Sequence, residues 1–366
     1  MSPEKTPNAL EYYNSFLKAP LTEQERTDLE QNKEDYLKNG SFEGELAFGT
    51  GGVREIVSSG SARLNVYNIA RLTSALAKAV IDHFGKNQKV ILAADSRLTS
   101  PLFSTISAYV LQQEGLQPIL FHRPTPTPIL SFAVREYKAS AGIVITASHN
   151  PPEYNGFKVY WNDGAQIVSP LDKEIEANFH TITYESLSSE LNSIEHFENI
   201  NTDITEEDTF EKYIDKLLKE DFIKTGIEKK SSILYSPLHG TGGWFFERLF
   251  QRMGYNKFSV LKEQGQPDGN FPTIGLPNPE EEISFDLLKE EGLKHKTKLL
   301  LASDPDADRI GCAVYREGQY EFLTGNQIGA LLMDHLLKNS KKNLETGYTW
   351  MQAHCILNQY NYYPTL

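Results

Sequence analysis

Thr146-Ala147-Ser148-His149-Asn150-Pro151-Pro152-Glu153-Tyr154-Asn155-Gly156-Phe157-Lys158 is a loop of turn-forming residues between two apolar runs. Ala141 to Ile145 precedes the loop and Phe157 to Trp161 ends it, and short apolar runs of this kind predict buried strands. Ser148 therefore stands at a strand-to-loop corner, where we expect an exposed hydroxyl that can carry a covalent group. A capped turn is the competing interpretation, because Ser, Asn and Pro all favour turns.

A second such corner lies about 150 residues later, in the stretch Asp304-Pro305-Asp306-Ala307-Asp308-Arg309. It separates the apolar runs Lys298 to Ala302 and Ile310 to Tyr315, which predict strands. Three neighbouring carboxylates repel one another, and oxygen-only ligands favour a hard cation such as Mg²⁺ or Ca²⁺. An EF-hand is excluded, because its sixth and twelfth positions require Gly and Glu and here hold Arg309 and Tyr315. The alternative is a solvated acidic turn.

Short apolar runs alternate with helical patterns along most of the chain, which predicts an α/β protein of several domains. Each domain is expected to hold a mixed β-sheet layered between helices. The predicted segments are a helical extension over 1–40, a serine-bearing domain over 41–204, a metal-binding domain over 205–320 and a further segment over 321–366. In the extension, Thr22 and Glu25 form a capping box, and Gly40 is a helix stop.

The composition limits the classes of partner. The 366 residues include 36 Lys and Arg against 49 Asp and Glu, a net charge of −13. This balance gives no support to a nucleic-acid partner, although local cations can still bind anionic sugar phosphates. The chain has no signal-peptide pattern and no membrane-spanning run, and no obligate protein partner is evident, so a cytoplasmic location is expected. Cys312 falls in a predicted strand and is expected to be a buried free thiol.

Four stretches together resemble the alpha-D-phosphohexomutases, the phosphoglucomutase and phosphomannomutase superfamily. They are Phe48-Gly49-Thr50-Gly51-Gly52-Val53-Arg54, the Ser148 loop, Pro237-Leu238-His239-Gly240-Thr241-Gly242 and Asp304 to Arg309. The resemblance runs from about Phe42 to about Leu337 and implies domains 1 and 2 of that fold plus the start of domain 3. The long N-terminal segment is more similar to the phosphoglucomutase-2 type.

The resemblance implies the role of each candidate residue. Ser148 would carry the phosphoryl group, with His149 and Lys158 assisting proton transfer and substrate orientation. Arg54 and Arg309 would bind phosphate. Mg²⁺ would be held by Ser148, Asp304, Asp306 and Asp308, and glucose 1,6-bisphosphate would act as activator.

Each of these residues also has a simpler interpretation. Lys158 could be a surface lysine of an edge strand and His149 a turn residue. Arg309 could be the partner of a neighbouring Asp, and Arg54 a surface arginine after a tight turn. Glu55 departs from the family, which usually has Gly after the arginine of the first stretch. Asp95-Ser96-Arg97 and His239 are expected to shape turns and to contribute little chemistry.

The function that the resemblance implies is interconversion of hexose 1-phosphate and hexose 6-phosphate, with glucose favoured, through phosphoserine and a bisphosphorylated sugar. The tail after Leu344 lacks the family's sugar-reading loop and fourth domain, so the sequence also predicts a truncated chain. The alternatives are therefore a catalytically impaired fragment that binds metal and phosphate only, and a phosphatase that loses the phosphoryl group to water.

Overall fold

The computed structural model describes residues 8–49, 51–199, 204–220 and 231–339. The chain divides into two compact units, Met1–Glu206 and Glu207–Leu366. Each unit has its own β-sheet and its own apolar core. The tail beyond 339, which includes Cys355, and Thr50 of the first motif lie outside the described residues.

The first unit alternates helices and strands as predicted. Its elements are α1 Ala9–Phe16, α2 Glu23–Gln31, α3 Lys33–Lys38, β1 Gly52–Ile56, α4 Val66–Phe84, β2 Lys89–Ala94, α5 Ser100–Gln113, β3 Gln117–Leu120, α6 Thr127–Glu136, β4 Ala141–Ile145, β5 Tyr154–Trp161 and α7 Leu171–Thr181, followed by short 3₁₀ helices at Tyr184–Ser186 and Ser189–Ser193. The strands predicted at β2, β4 and β5 are confirmed. β1 and β3 were not predicted, because one is rich in polar residues and the other is very short.

The first sheet has the order β1-β5-β4-β2-β3. β2 runs parallel to β3 and β4, while β5 is antiparallel to both β4 and β1. Both faces are buried: Val90 and Leu92 of β2 pack with α4 and α5, and Ile91 and Ala93 pack on the α6 side. Because neighbouring strand residues point to opposite faces, a continuous apolar run is what such a doubly covered strand requires.

The N-terminal helices pack on the first unit through aromatic rings. Phe16 meets Phe42, Tyr67 and Tyr184 edge-on, with ring centroids 5.7, 5.8 and 5.2 Å away. The predicted capping box of α2 is present, since Thr22 and Glu25 bond each other's main-chain N–H groups. These helices thus form part of the core of the unit.

The second unit contains α8 Glu206–Leu218, β6 Ile233–Ser236, α9 Gly242–Arg252, β7 Phe258–Val260, a 3₁₀ helix at Glu282–Phe285, α10 Asp286–His295, β8 Leu299–Ser303, β9 Ile310–Arg316, β10 Gln319–Leu323 and α11 Gly325–Asn339. Its sheet has the order β10-β9-β8-β6-β7. The first three strands in sequence, β6 to β8, are parallel, and β9 and β10 continue the sheet antiparallel.

The two sheets share one strand arrangement. In each, a parallel strand (β2 or β6) lies between a short edge strand and a second parallel strand at the centre of the sheet (β4 or β8), which is followed by an antiparallel strand. The Ser148 loop follows β4 and the Asp304 turn follows β8. The two motifs singled out in the sequence therefore occupy equivalent positions in two sheets.

Three further expectations bear on the fold. Cys312 is a free cysteine, but it is only half-buried. Among the described residues, no helix is long and apolar enough to span a bilayer. The four-segment division of the chain stays a prediction, and β10 crosses position 320 while pairing with β9.

Candidate active site

Ser148 lies just beyond the end of β4 in a left-handed backbone conformation, with φ of 54°. Its exposed fraction is 1%, so the expectation of an exposed serine is wrong. The Ser148 N–H donates to Thr146 Oγ1 at 2.8 Å, and that hydroxyl donates to Asp95 Oδ2 at 2.7 Å. Hydrogen bonds to the turn that follows β2 thus fix the main chain of the serine.

Arg97 is the centre of that turn, and its side chain is only 1% exposed. Its guanidinium donates to four carbonyl oxygens of the Ser148 loop. The acceptors are those of Ser148 (2.8 Å), Asn150 (2.6 Å), Pro151 (2.7 Å) and Tyr154 (2.8 Å). The interpretation of Asp95-Ser96-Arg97 as a simple strand-end turn is therefore incomplete, because these side chains hold the serine loop together.

Asp95 is the counter-ion of Arg97, with Oδ2 3.1 Å from Nε. Burial raises the pKa of the Asp95 carboxyl, while the Arg97 charge and the bonds from Ser100 and Thr146 oppose that rise. The carboxyl group accepts from the Arg97 main chain and side chain and from the hydroxyls of Ser100 and Thr146. A carboxylate that accepts several donors is favoured in its charged form.

Three nitrogen-bearing side chains accompany Ser148 in the first unit. His149 Nδ1 lies 3.3 Å from Ser148 Oγ. Lys158 is 3% exposed and lies on β5, between β4 and β1, so the interpretation as a surface lysine of an edge strand is wrong. Arg54 lies on β1 opposite Gly156, and Lys158 lies opposite Gly52. Because directly opposed residues share a face, Arg54 and Lys158 are on the same face of the sheet.

Gly156 allows the strands beneath Ser148 to approach closely. A Cβ on this residue would lie 2.3 Å from the Thr146 carbonyl oxygen and 3.2 Å from Arg54 Cγ. The Arg54 side chain therefore packs beside Gly156, close to the Thr146 carbonyl at the start of the Ser148 loop. Its own side chain is exposed and accessible to a ligand.

Glu55, the departure from the family pattern, does not compete with Arg54. It pairs with Arg63 at 2.9 Å and accepts the main-chain N–H of Ile56. Adjacent strand residues point to opposite faces, so its charge is directed away from that of Arg54.

Asp304, Asp306 and Asp308 form the acidic cluster of the second unit. One carboxylate oxygen from each lies within 4.8 Å of the others. Asp304 and Asp306 are buried and Asp308 is half-buried, which argues against a solvated acidic turn. Asp304 Oδ1 also accepts the N–H groups of Asp308 (3.1 Å) and Arg309 (3.0 Å), which shapes the turn. Three converging carboxylates are a donor set that fits a hard divalent cation.

The loop after β6 supports the acidic turn. Thr241 N–H donates to the Pro305 carbonyl at 2.8 Å, and a Cβ on Gly240 would lie 2.3 Å from Pro305 Cα. His239 is buried and bonds Thr273 through Nε2 at 2.8 Å, and burial lowers its pKa. It shapes this loop, as the sequence indicated.

Arg309 extends from the end of the acidic turn and forms an ion pair with Glu280. The Nη1 to Oε1 distance is 3.0 Å, and both side chains are partly exposed. The turn of Pro277-Asn278-Pro279-Glu280 therefore orients this arginine, and its role in phosphate binding stays a prediction.

The structure thus assembles two groups. Ser148, His149, Lys158 and Arg54 belong to the first unit, and Asp304, Asp306, Asp308 and Arg309 belong to the second. The predicted approach of Ser148 to the cation stays a prediction.

Comparison with known families assigns each unit to a family domain. Residues 45–186 match the model for phosphoglucomutase/phosphomannomutase alpha/beta/alpha domain I, and residues 211–318 match domain II. The chain belongs to the alpha-D-phosphohexomutase superfamily. The family resemblance and the α/β fold of two mixed sheets are thereby confirmed.

Similar members of the superfamily come from several bacteria. A Staphylococcus saprophyticus protein named phosphoglucomutase is 35% identical over 84% of this chain and 55% of its own length. A Thermus thermophilus structure aligns with a TM-score of 0.67 at 23% identity, over 81% of this chain and 62% of that one. A Burkholderia thailandensis phosphoglucomutase/phosphomannomutase family protein has a TM-score of 0.60 at 20% identity, over 80% and 59%. The chain spans just over half the length of the curated relative.

Proposed function

We propose that this phosphohexomutase interconverts hexose 1-phosphate and hexose 6-phosphate, with glucose favoured, through a phosphoserine at Ser148. The observation that carries the proposal is the buried, left-handed Ser148 with Lys158 and Arg54 on one face of the neighbouring strands. A serine hydroxyl becomes a phosphoryl donor as a phosphomonoester, and cations beside it stabilise the charge of the transferring group.

In the first half-reaction the Ser148 oxygen–phosphorus bond breaks, and a bond forms between phosphorus and a hydroxyl oxygen of the sugar monophosphate. The proton of the sugar hydroxyl is relayed through His149 or Lys158 to the serine oxygen that the phosphoryl group leaves. The bisphosphorylated sugar then donates its other phosphoryl group to Ser148 by the reverse steps. Arg54 binds a phosphate group, and Arg309 binds the phosphoserine or the transferring phosphate, because a guanidinium binds phosphate through paired charge-assisted hydrogen bonds.

Asp304, Asp306 and Asp308 would hold Mg²⁺, with the phosphorylated Ser148 oxygen as the remaining protein ligand. Their convergence within 4.8 Å, without sulfur or nitrogen in the set, supports a hard ion. When bound, the ion would neutralise negative charge on the phosphoryl group during transfer.

Two finer assignments complete the proposal. Glucose phosphate is favoured as substrate, because the similar staphylococcal proteins carry the name phosphoglucomutase, and glucose 1,6-bisphosphate is the expected activator. A cytoplasmic location is part of the same proposal.

The test is conversion of glucose 1-phosphate with Mg²⁺ and a trace of glucose 1,6-bisphosphate, followed by a coupled dehydrogenase assay for glucose 6-phosphate. Ser148→Ala should abolish conversion, and the control Ser186→Ala, which changes an exposed serine of the same unit, should not. Intact mass should show one phosphoryl group on the wild type and none on Ser148→Ala. Free phosphate without isomer would favour a hydrolase, and a phosphorylated chain that forms neither product would refute the mutase proposal in favour of a binding fragment.

A further inference from the structure

We propose that the buried Asp95–Arg97 ion pair positions Ser148 for phosphoryl transfer, an inference that rests on the proposed phosphoserine role. Neither residue is needed as a substrate ligand for this role. The pair belongs to the turn after β2, one strand away from the serine loop in the sheet.

The main-chain N–H and carbonyl groups of Ser148 are both connected to this ion pair by hydrogen bonds. The N–H bonds Thr146 Oγ1, which in turn donates to Asp95 Oδ2. The carbonyl oxygen accepts directly from Arg97 Nη2 at 2.8 Å. Asp95 and Arg97 are joined to each other at 3.1 Å. The peptide groups on the two sides of the Ser148 Cα are therefore fixed against a common buried support.

This support holds Ser148 in a conformation that serine seldom adopts. With φ of 54° the residue is left-handed, which costs an L-amino acid roughly 1–2 kcal/mol. The direction of the Cα–Cβ bond, and hence of Oγ, depends on that backbone angle. Loss of the ion pair would allow the residue to relax and Oγ to turn from its set direction.

Arg97 has no N–H to spare for phosphate. A guanidinium has five N–H donors, and Arg97 directs five bonds to Asp95 Oδ2 and to the four loop carbonyls. It is therefore a positioning residue. Lysine cannot replace it, because an ammonium has three donors and no planar fork.

The two roles predict different kinetics. A positioning residue affects the orientation of the reacting atom, so its loss lowers kcat and leaves KM nearly unchanged, whereas loss of a phosphate ligand raises KM. A displacement of about 1 Å in a reacting group can cost about 100-fold in rate.

The experiment compares Arg97→Lys with Arg71→Lys in the full chain. Arg71 is a matched control: it is also buried in the first unit, pairs with Glu45 at 2.6 Å and donates to the Ile182 carbonyl, away from Ser148. We expect Arg97→Lys to lower kcat about 100-fold with KM within about threefold of wild type, and Arg71→Lys to leave both nearly unchanged. Hydrogen exchange should accelerate in residues 148–154 of Arg97→Lys and near residue 182 of Arg71→Lys.

A second variant covers the case in which Arg97→Lys does not fold. Thr146→Val removes only the hydroxyl between Ser148 N–H and Asp95, and should lower kcat about 10-fold. A raised KM with unchanged kcat in either variant would overturn the positioning role, as would unchanged exchange over residues 148–154 in the variants that fold. If the wild type itself lacks mutase activity, the proposed function fails, and the exchange measurement still decides whether Asp95 and Arg97 order the loop.

Discussion

The acidic cluster of the second unit predicts that Asp306→Asn is more stable than the wild type without a divalent cation and loses this advantage when the cation is present. The three carboxylates lie within 4.8 Å of one another, and two unit charges at that separation repel by about 3.5 kcal/mol at an effective dielectric of about 20. Neutralising Asp306 removes two of the three repulsive pairs, about 7 kcal/mol before screening. Solvent at half-buried Asp308 and the N–H donors to Asp304 reduce this gain, so we expect about 1–3 kcal/mol.

In EDTA, Asp306→Asn should therefore unfold at higher urea than the wild type. A ligand that binds only the folded state adds about 2.7 kcal/mol of stability at 100 times its dissociation constant. Mg²⁺ should confer such a gain on the wild type and much less on the variant, so the difference between them shrinks or reverses.

Urea unfolding followed by hydrogen exchange in β8 and β9 peptides measures both effects in the relevant unit. Glu263→Gln removes an exposed charge from the same unit and serves as control, with little change in either condition. A variant that is less stable than the wild type in EDTA, yet gains equally from Mg²⁺, would show that the cluster does not bind a cation through shared carboxylates.

Three further predictions concern single positions. Gly156→Ala should destabilise the first unit by about 2–4 kcal/mol in urea unfolding, because its Cβ would meet a carbonyl oxygen at 2.3 Å, whereas Gly49→Ala meets only an ordinary contact and should be tolerated. Arg54→Gln should raise KM for the sugar phosphate about 10-fold with little loss of stability, and Arg63→Gln, whose side chain is committed to Glu55, should lose stability and keep KM. Burial lowers the pKa of His239, so below the ordinary value of about 6.5 the unfolded chain binds a proton that the folded chain does not. The free energy of unfolding should therefore decrease as the pH is lowered from about 7 to 5. His239→Asn, in which asparagine tolerates the left-handed backbone, should reduce this dependence of the urea midpoint on pH.

The sequence was informative where local pattern and chemistry coincide. The run before Ser148 is apolar because β4 is buried on both faces, and its bounds were predicted correctly. The strands beside Asp304 were predicted to within one residue, whereas β5 begins three residues before the apolar run that predicted it. The cluster of three carboxylates could be predicted from their alternate positions in the sequence alone. β1 was missed, because Gly52, Arg54 and Glu55 interrupt any alternating pattern.

The parts that could not be predicted depend on contacts between distant segments. Nothing local distinguishes Arg97 from a surface arginine, since its five acceptors include carbonyl oxygens more than 50 residues away. The shared strand arrangement of the two sheets was likewise invisible, because Ser-His-Asn-Pro and Asp-Pro-Asp-Ala match at no position that would reveal a repeat. Ser148 was wrongly expected at the surface, because the burial of a loop depends on contacts with residues that are distant in the sequence.

The aromatic contacts of the N-terminal helices have a practical consequence for anyone who dissects this chain. The domain I match begins at residue 45, yet Phe16, which packs edge-on against Phe42, contacts the rings of Tyr67 and Tyr184 from the other side of that limit. A recombinant fragment that begins at the family boundary would expose the rings of Tyr67 and Tyr184 to water. It would also lose the Glu25 carboxylate that accepts a hydrogen bond from the Tyr67 hydroxyl. Such a fragment should precipitate or bind hydrophobic dyes, whereas one that starts before α1 should not.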